Sequence, residues 1–243
     1  MIWIKMNAEF KKGFSLTEVL MAVGILSVGM MLIATMFPVG IYLTTVASER
    51  TMAAIVADEA FAKIQLYGID PCDNPDTSVD YENELVSKGK IDPCEFSYPP
   101  VDPCATNRQY YWSALYRKLD SNPADREYQV TVFVARKTNP GLTYQGGGDS
   151  GARPKAISVA VTYPGSDKLQ ITTAGWEKYV NPTTTIIDNA TGLPYRILDR
   201  VNNIVTLDRN WEIGTPSSIW VIPPPDTGGR NADIEVYQRI IRF

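Results

Sequence analysis

The chain has 243 residues, 44% hydrophobic and 21% charged, with 23 basic against 27 acidic side chains and a formal charge of −4. That length allows one helical stalk and one globular body with a real core. The lack of any histidine excludes Ser-His-Asp, Cys-His and His-metal catalysis within the chain, and the acidic balance provides no overall attraction to nucleic acid, which is not an expected partner.

The first thirteen residues carry Lys5, Lys11 and Lys12 against Glu9; Met1 and Met6 are both candidate starts. No charge then occurs from Val19 to Ser48. The basic leader is expected to stay cytoplasmic and the C-terminal bulk to lie outside. Glu18 heads this membrane-length run. An ionised Asp, Lys or Arg at the centre of a membrane helix costs roughly 2.5–3.5 kcal/mol, and Glu belongs to the same class, so one placed here points to function and needs a cationic partner.

The order of signals differs from a secretory signal peptide, in which a small-residue cleavage site follows the apolar region. Here Gly13 precedes it, so a cut after Gly13 leaves the hydrophobic helix attached. Lys12-Gly13-Phe14-Ser15-Leu16-Thr17-Glu18-Val19-Leu20 resembles the prepilin cleavage and methylation signature of type IV pilins and type II secretion pseudopilins. The resemblance implies cleavage between Gly13 and Phe14 by a prepilin peptidase/methyltransferase, N-methylation of Phe14, and neutralisation of a neighbouring subunit's N-terminal amine by Glu18. It also implies other pilin or pseudopilin subunits, an inner-membrane assembly platform and membrane lipid as partners.

A helix is expected from Phe14 to about Leu66, rising about 75–80 Å at 1.5 Å per residue. Gly24, Ser27 and Gly29 allow close helix approach, and Pro38 predicts a kink or an unwound turn. Met52, Ile55, Val56, Ala60 and Ile64 follow helical spacing. Glu59 and Lys63 are placed to pair along the helix, and Tyr67-Gly68 with Asp70-Pro71 marks its end.

Residues 70–109 are rich in proline and acid and contain Asp-Pro-Cys three times, at Cys72, Cys94 and Cys104. An irregular loop is expected. In an oxidising exterior two of the three cysteines pair; Cys94 with Cys104 is the nearest pair, although spacing does not fix connectivity. A zinc site lacks both Cys-x-x-Cys spacing and histidine.

Strands are expected at 110–118, 127–136 and 155–163, with the second and third alternating as half-buried strands and a flexible glycine loop between them. These three are expected to form one antiparallel sheet on the helix. Further strands follow at 195–199, 204–208, 218–222 and 234–243, with a hairpin turn at 201–203. Asp188, Asp199 and Asp208 read as turn and strand-end residues rather than a glycosidase pair or a calcium site. Asn189-Ala190-Thr191 fits a glycosylation acceptor and, more simply, a turn. Trp176, Tyr179, Trp211 and Trp220 read as core, with sugar or surface adhesion as the alternative.

The fold class expected is α+β: a long hydrophobic N-terminal helix packed on an antiparallel sheet, with an additional β-rich C-terminal block. The divisions are 1–13 leader, 14–69 transmembrane and stalk helix, 70–109 Cys/Pro-rich loop, 110–175 sheet and 176–243 β-rich block. The resemblance makes the sheet arrangement pilin-like and the protein a non-enzymatic minor pilin or pseudopilin, without cofactor or metal. A membrane-anchored extracytoplasmic binding module is the alternative.

Overall fold

The computed structural model describes residues 13–69, 77–87, 89–100, 108–119, 126–212 and 214–243. The chain divides into two compact units between Ser48 and Glu49, and helix α1, Leu16–Tyr67, contributes to both. The class is α+β: one long apolar N-terminal helix, antiparallel sheets and a six-stranded barrel.

The first unit carries the uncharged part of α1. Its large side chains are exposed throughout, from Leu16 and Leu20 to Ile41 and Leu43. The helix passes through Pro38 without interruption, which corrects the expectation of an unwound turn. One missing donor removes one rung, and the rungs before and after it persist. At the far end, Gly68 takes φ +75° and its N–H closes onto the Ile64 carbonyl at 2.9 Å, a left-handed helix stop that glycine adopts without strain.

The second unit begins at Glu49. Around its helical segment lie β1 (Val79–Asp80), α2 (Tyr81–Ser87), a 3-10 turn at Pro93–Phe96 and β2 (Ser97–Tyr98). Residues 70–109 are therefore not one irregular loop. Asp80 caps α2 by accepting from Glu82 N at 3.0 Å, and Tyr81 and Leu85, four apart, are buried. Asp92 caps the 3-10 turn through Cys94 N at 2.9 Å, with Pro93 in its first turn; in this copy Asp-Pro-Cys is thus a turn-starting element.

Strands β3 (Tyr110–Lys118), β4 (Glu127–Arg136) and β11 (Asp233–Arg242) form the main sheet, in the order β1-β3-β4-β11, with β2 also on β3. Ala53, Val56, Ala57, Ala60, Phe61 and Ile64 of the helix pack on Trp112, Ala114, Tyr116, Val130, Val132 and Val134. Three alanines on that stripe let the helix approach the sheet closely. On the other face Leu115, Phe133 and Ala135 meet Tyr144, Ile187 and Ile222. With both faces covered, β3 and β4 are buried along nearly their whole length; the half-buried alternation expected of 127–136 is corrected accordingly.

The barrel closes in the order β10-β5-β6-β9-β8-β7, all antiparallel: β5 Ile157–Gly165, β6 Lys168–Ile171, β7 Thr185–Asp188, β8 Pro194–Val201, β9 Ile204–Leu207 and β10 Ser218–Val221. It corrects the expected sheet. The strand at 155–163 does not join β3 and β4; β5 pairs with β6 and β10, and the last strand, β11, takes the place beside β4 over nine residue pairs. Strand pairing therefore crosses residue 176 in both directions. The physical reason lies in the burial: β5 alternates strictly between inside and outside, as a barrel wall does, whereas β3 and β4 at the centre of the main sheet are covered on both faces and β11 closes its edge half-buried.

Ion pairs fix the elements of this unit to one another. Glu49, buried, accepts from Arg136 and takes Arg230 bidentately, at 3.0 and 2.5 Å. Lys63 bridges Glu59 at 2.9 Å, as expected, and also Glu95 at 3.0 Å. Arg153 pairs with Glu82, and Lys155 with Asp80 at 2.7 Å. The run Gly146–Gly151 is not a free loop, because it wraps Arg153: a Cβ on Gly147 would stand 2.3 Å from the Arg153 carbonyl oxygen.

Candidate processing and assembly site

Gly13, Phe14 and Ser15 lead into α1 in non-helical conformation, and all are exposed. A Cβ on Gly13 would meet nothing within 4 Å. The described packing therefore does not require glycine here. Phe14 is 86% exposed, too open to serve as core.

Ser15 starts the helix. Its carbonyl accepts from Glu18 N at 3.0 Å and Val19 N at 3.2 Å, its hydroxyl meets the Thr17 hydroxyl at 2.6 Å, and its N–H donates to Glu18 Oε2 at 3.4 Å. This is the return half of a capping box, in which a Glu three residues into the helix reaches back to the N-cap amide. The signal Ser15-x-x-Glu18 lies in the sequence, and a reading of Glu18 as a charge alone misses it. The contact is long against the usual range of about 2.7–3.2 Å. Among the described residues Glu18 has no ion pair, so its charge is held at the helix N-terminus, where the dipole favours it, without a cation.

Behind it the surface suits hydrocarbon. Val19–Ser48 would rise about 45 Å at 1.5 Å per residue, more than a bilayer core of about 30 Å; by length and composition α1 is able to span a membrane. Four of its hydroxyls are turned back to the ladder: Ser27 donates to Val23 O at 2.7 Å, Thr35 to Leu32 O at 2.8 Å, Thr44 to Gly40 O at 2.8 Å and Thr45 to Ile41 O at 2.9 Å. Such bonds satisfy polar groups where no water is available. Gly24, Gly29 and Gly40 face open space, with nothing within 4 Å of a Cβ, so a second helix can approach there.

Of the residues singled out from sequence, Gly13, Phe14 and Glu18 stand together because they are neighbours in the chain, and among the described residues no tertiary contact assembles them. Cys94 is disulfide-bonded; Cys104, its expected partner, and Cys72 lie outside the described residues. The carboxylates considered for other chemistry have local duties. Asp188 holds the turn at 188–192 by accepting from Ala190 N, Thr191 N and the Thr191 hydroxyl. Asp199 accepts from Arg200 N at 2.8 Å and Asp208 from Arg196 N at 3.0 Å.

Asn189-Ala190-Thr191 forms a turn, and Asn189 Oδ1 accepts from Trp220 Nε1 at 2.8 Å. Trp211 is buried in a stack on Tyr195 with ring centroids 4.4 Å apart. Tyr179 is buried beneath a half-buried Trp176.

In comparisons with family models, curated proteins and solved structures, nothing matches this chain.

Proposed function

We propose that the chain is a non-enzymatic structural subunit of a filament of the type IV pilus or type II secretion kind, a minor pilin or pseudopilin. A prepilin peptidase cuts it between Gly13 and Phe14 and methylates the new amine of Phe14. Before assembly it is a single-pass inner-membrane protein with its C-terminal body outside the cytoplasm; afterwards it lies in the pilus or pseudopilus. The long helix laid on an antiparallel sheet is then the pilin-like arrangement, and the barrel is what distinguishes this subunit.

The observation that carries this reading is a single carboxylate at the head of an uncharged, uncovered stretch of α1, four residues after an exposed phenylalanine and five after a glycine that the described packing does not require. A charge in that position becomes tolerable when a partner cation arrives, and the amine freed by cleavage is one.

Mass spectrometry of the mature N-terminus tests the reading. An N-methylated phenylalanine at Phe14 is expected; an intact Met1 or Met6 refutes it and favours the second reading, a membrane-anchored binding module displayed outside the cell. That second reading draws its support from the closed barrel, a separate wall of strands with its own core.

A further inference from the structure

The barrel carries a cleft apart from Gly13, Phe14 and Glu18. Glu177, in a 3-10 turn at Glu177–Tyr179, and Arg200, Asn202 and Asn203 of the β8–β9 hairpin line a polar cleft of about 490 Å³. Binding sites commonly occupy about 300–1,000 Å³ and are found in barrel mouths. Arg200 pairs across the hairpin with Val205, which is fully buried. Cross-strand partners share a face, so the Arg200 side chain leaves on the interior side of the wall, where its Nη1 donates to the Glu177 carbonyl.

Asn203 is held by Ile171 at both ends: its carbonyl accepts from Ile171 N at 2.8 Å and its Nδ2 donates to Ile171 O at 3.4 Å. Asn202 occupies the turn at φ +55°. The cleft is thus mounted on paired strands. Trp176, which precedes Glu177 in the chain, is half-buried and set edge-on against Tyr179 at 5.8 Å.

The lining chemistry is selective. One carboxylate, one guanidinium and two amides sum to no net charge and offer donors and acceptors in similar numbers. A phosphate would meet the Glu177 carboxylate, a metal cation would meet Arg200, and an apolar ligand would desolvate polar atoms that the bonds to the Glu177 and Ile171 carbonyls leave open. Vicinal hydroxyls, each donor and acceptor at once, fit the set.

We propose that this cleft binds a saccharide, with Glu177, Arg200, Asn202 and Asn203 hydrogen-bonding the hydroxyls of one sugar unit. The proposal does not rest on the filament reading, and either can fail without the other.

The test uses the full chain in a zwitterionic alkyl detergent that has no sugar head group. Saturation-transfer NMR and calorimetry would be run against glucose, galactose, mannose, N-acetylglucosamine and lactose, with inorganic phosphate and calcium as comparators. At least one saccharide is expected to bind. Glu177→Gln and Asn202→Gly are each expected to weaken it at least about tenfold, since the first replaces a charged acceptor by a neutral amide and the second removes an amide that hydrogen-bonds the sugar. Glycine keeps the turn's positive φ, so Asn202→Gly decides the matter if the other variant misfolds. Leu198→Ala, on the same hairpin and 58% exposed, should leave binding within about twofold, as expected of a surface change away from the site. Absence of binding by every saccharide, binding of phosphate or calcium alone, or saccharide binding that Asn202→Gly leaves unchanged overturns the proposal.

Discussion

Asp233 links the sheet to the barrel, and its chemistry predicts an unusual pH dependence. It begins β11, and its Oδ2 accepts from Thr185 N at 3.2 Å where β7 begins; its Oδ1 is buried with no hydrogen-bond partner. Burial above all, with a smaller push from the Glu235 charge and against the pull of the Thr185 N–H, raises the carboxyl from 3.8 to about 7. The folded chain therefore holds this proton more tightly than the unfolded chain. The resulting stability is fully present below the unfolded value and is lost as pH rises through about 7.

At about 1.4 kcal/mol per pKa unit, the ceiling on this loss is about 4 kcal/mol; the residue is half-buried, and water screening brings it to about 2 kcal/mol. Asp233→Asn removes the titration and keeps the acceptor for Thr185. Urea midpoints of the full chain, followed by tryptophan fluorescence between pH 4.5 and 8, should fall in the wild type and fall less in the variant. Equal pH slopes for the two chains would refute the reasoning.

Glu49→Ala removes the buried carboxylate that Arg136 and Arg230 share, and both arginines are open enough to be rehydrated, so a loss of about 1–3 kcal/mol is expected in the same denaturation assay. Gly147→Ala places a Cβ against the Arg153 backbone and should cost about 2 kcal/mol or more. Gly141→Ala, whose nearest neighbour is a side-chain atom at 3.7 Å, should cost under about 1 kcal/mol. Under the proposed function Glu18→Val leaves membrane insertion intact, as read by carbonate extraction, and sharply reduces recovery of the subunit in sheared filaments; normal recovery would contradict the assembly role.

The long helix is legible from sequence to within two residues at its start and one at its end, because its signals are local: an apolar run, and a glycine whose backbone can turn left-handed. The hairpin at 201–203 is equally plain. Helix α2 is missed although Asp80 and the spacing of Tyr81 and Leu85 announce it; the surrounding prolines and acids obscure a seven-residue element. The capping role of Glu18 is written in Ser15-x-x-Glu18 and is masked by the more conspicuous question of its charge.

The chain's linear order alone thus determines the exposed Gly13-Phe14, the carboxylate at Glu18 and the membrane-length run behind it, since every one of these depends on neighbours in sequence. Which strands share a sheet is decided only in three dimensions. Residues 157–165 and 233–242 both read as alternating strands, and nothing local tells a barrel wall from a sheet strand. The distinction arises when the main sheet is covered on its second face by Tyr144, Ile187 and Ile222, and when β5 finds β6 and β10 rather than β4. The saccharide-sized cleft has the same origin: Glu177 and Arg200 stand 23 residues apart and meet only because the barrel closes.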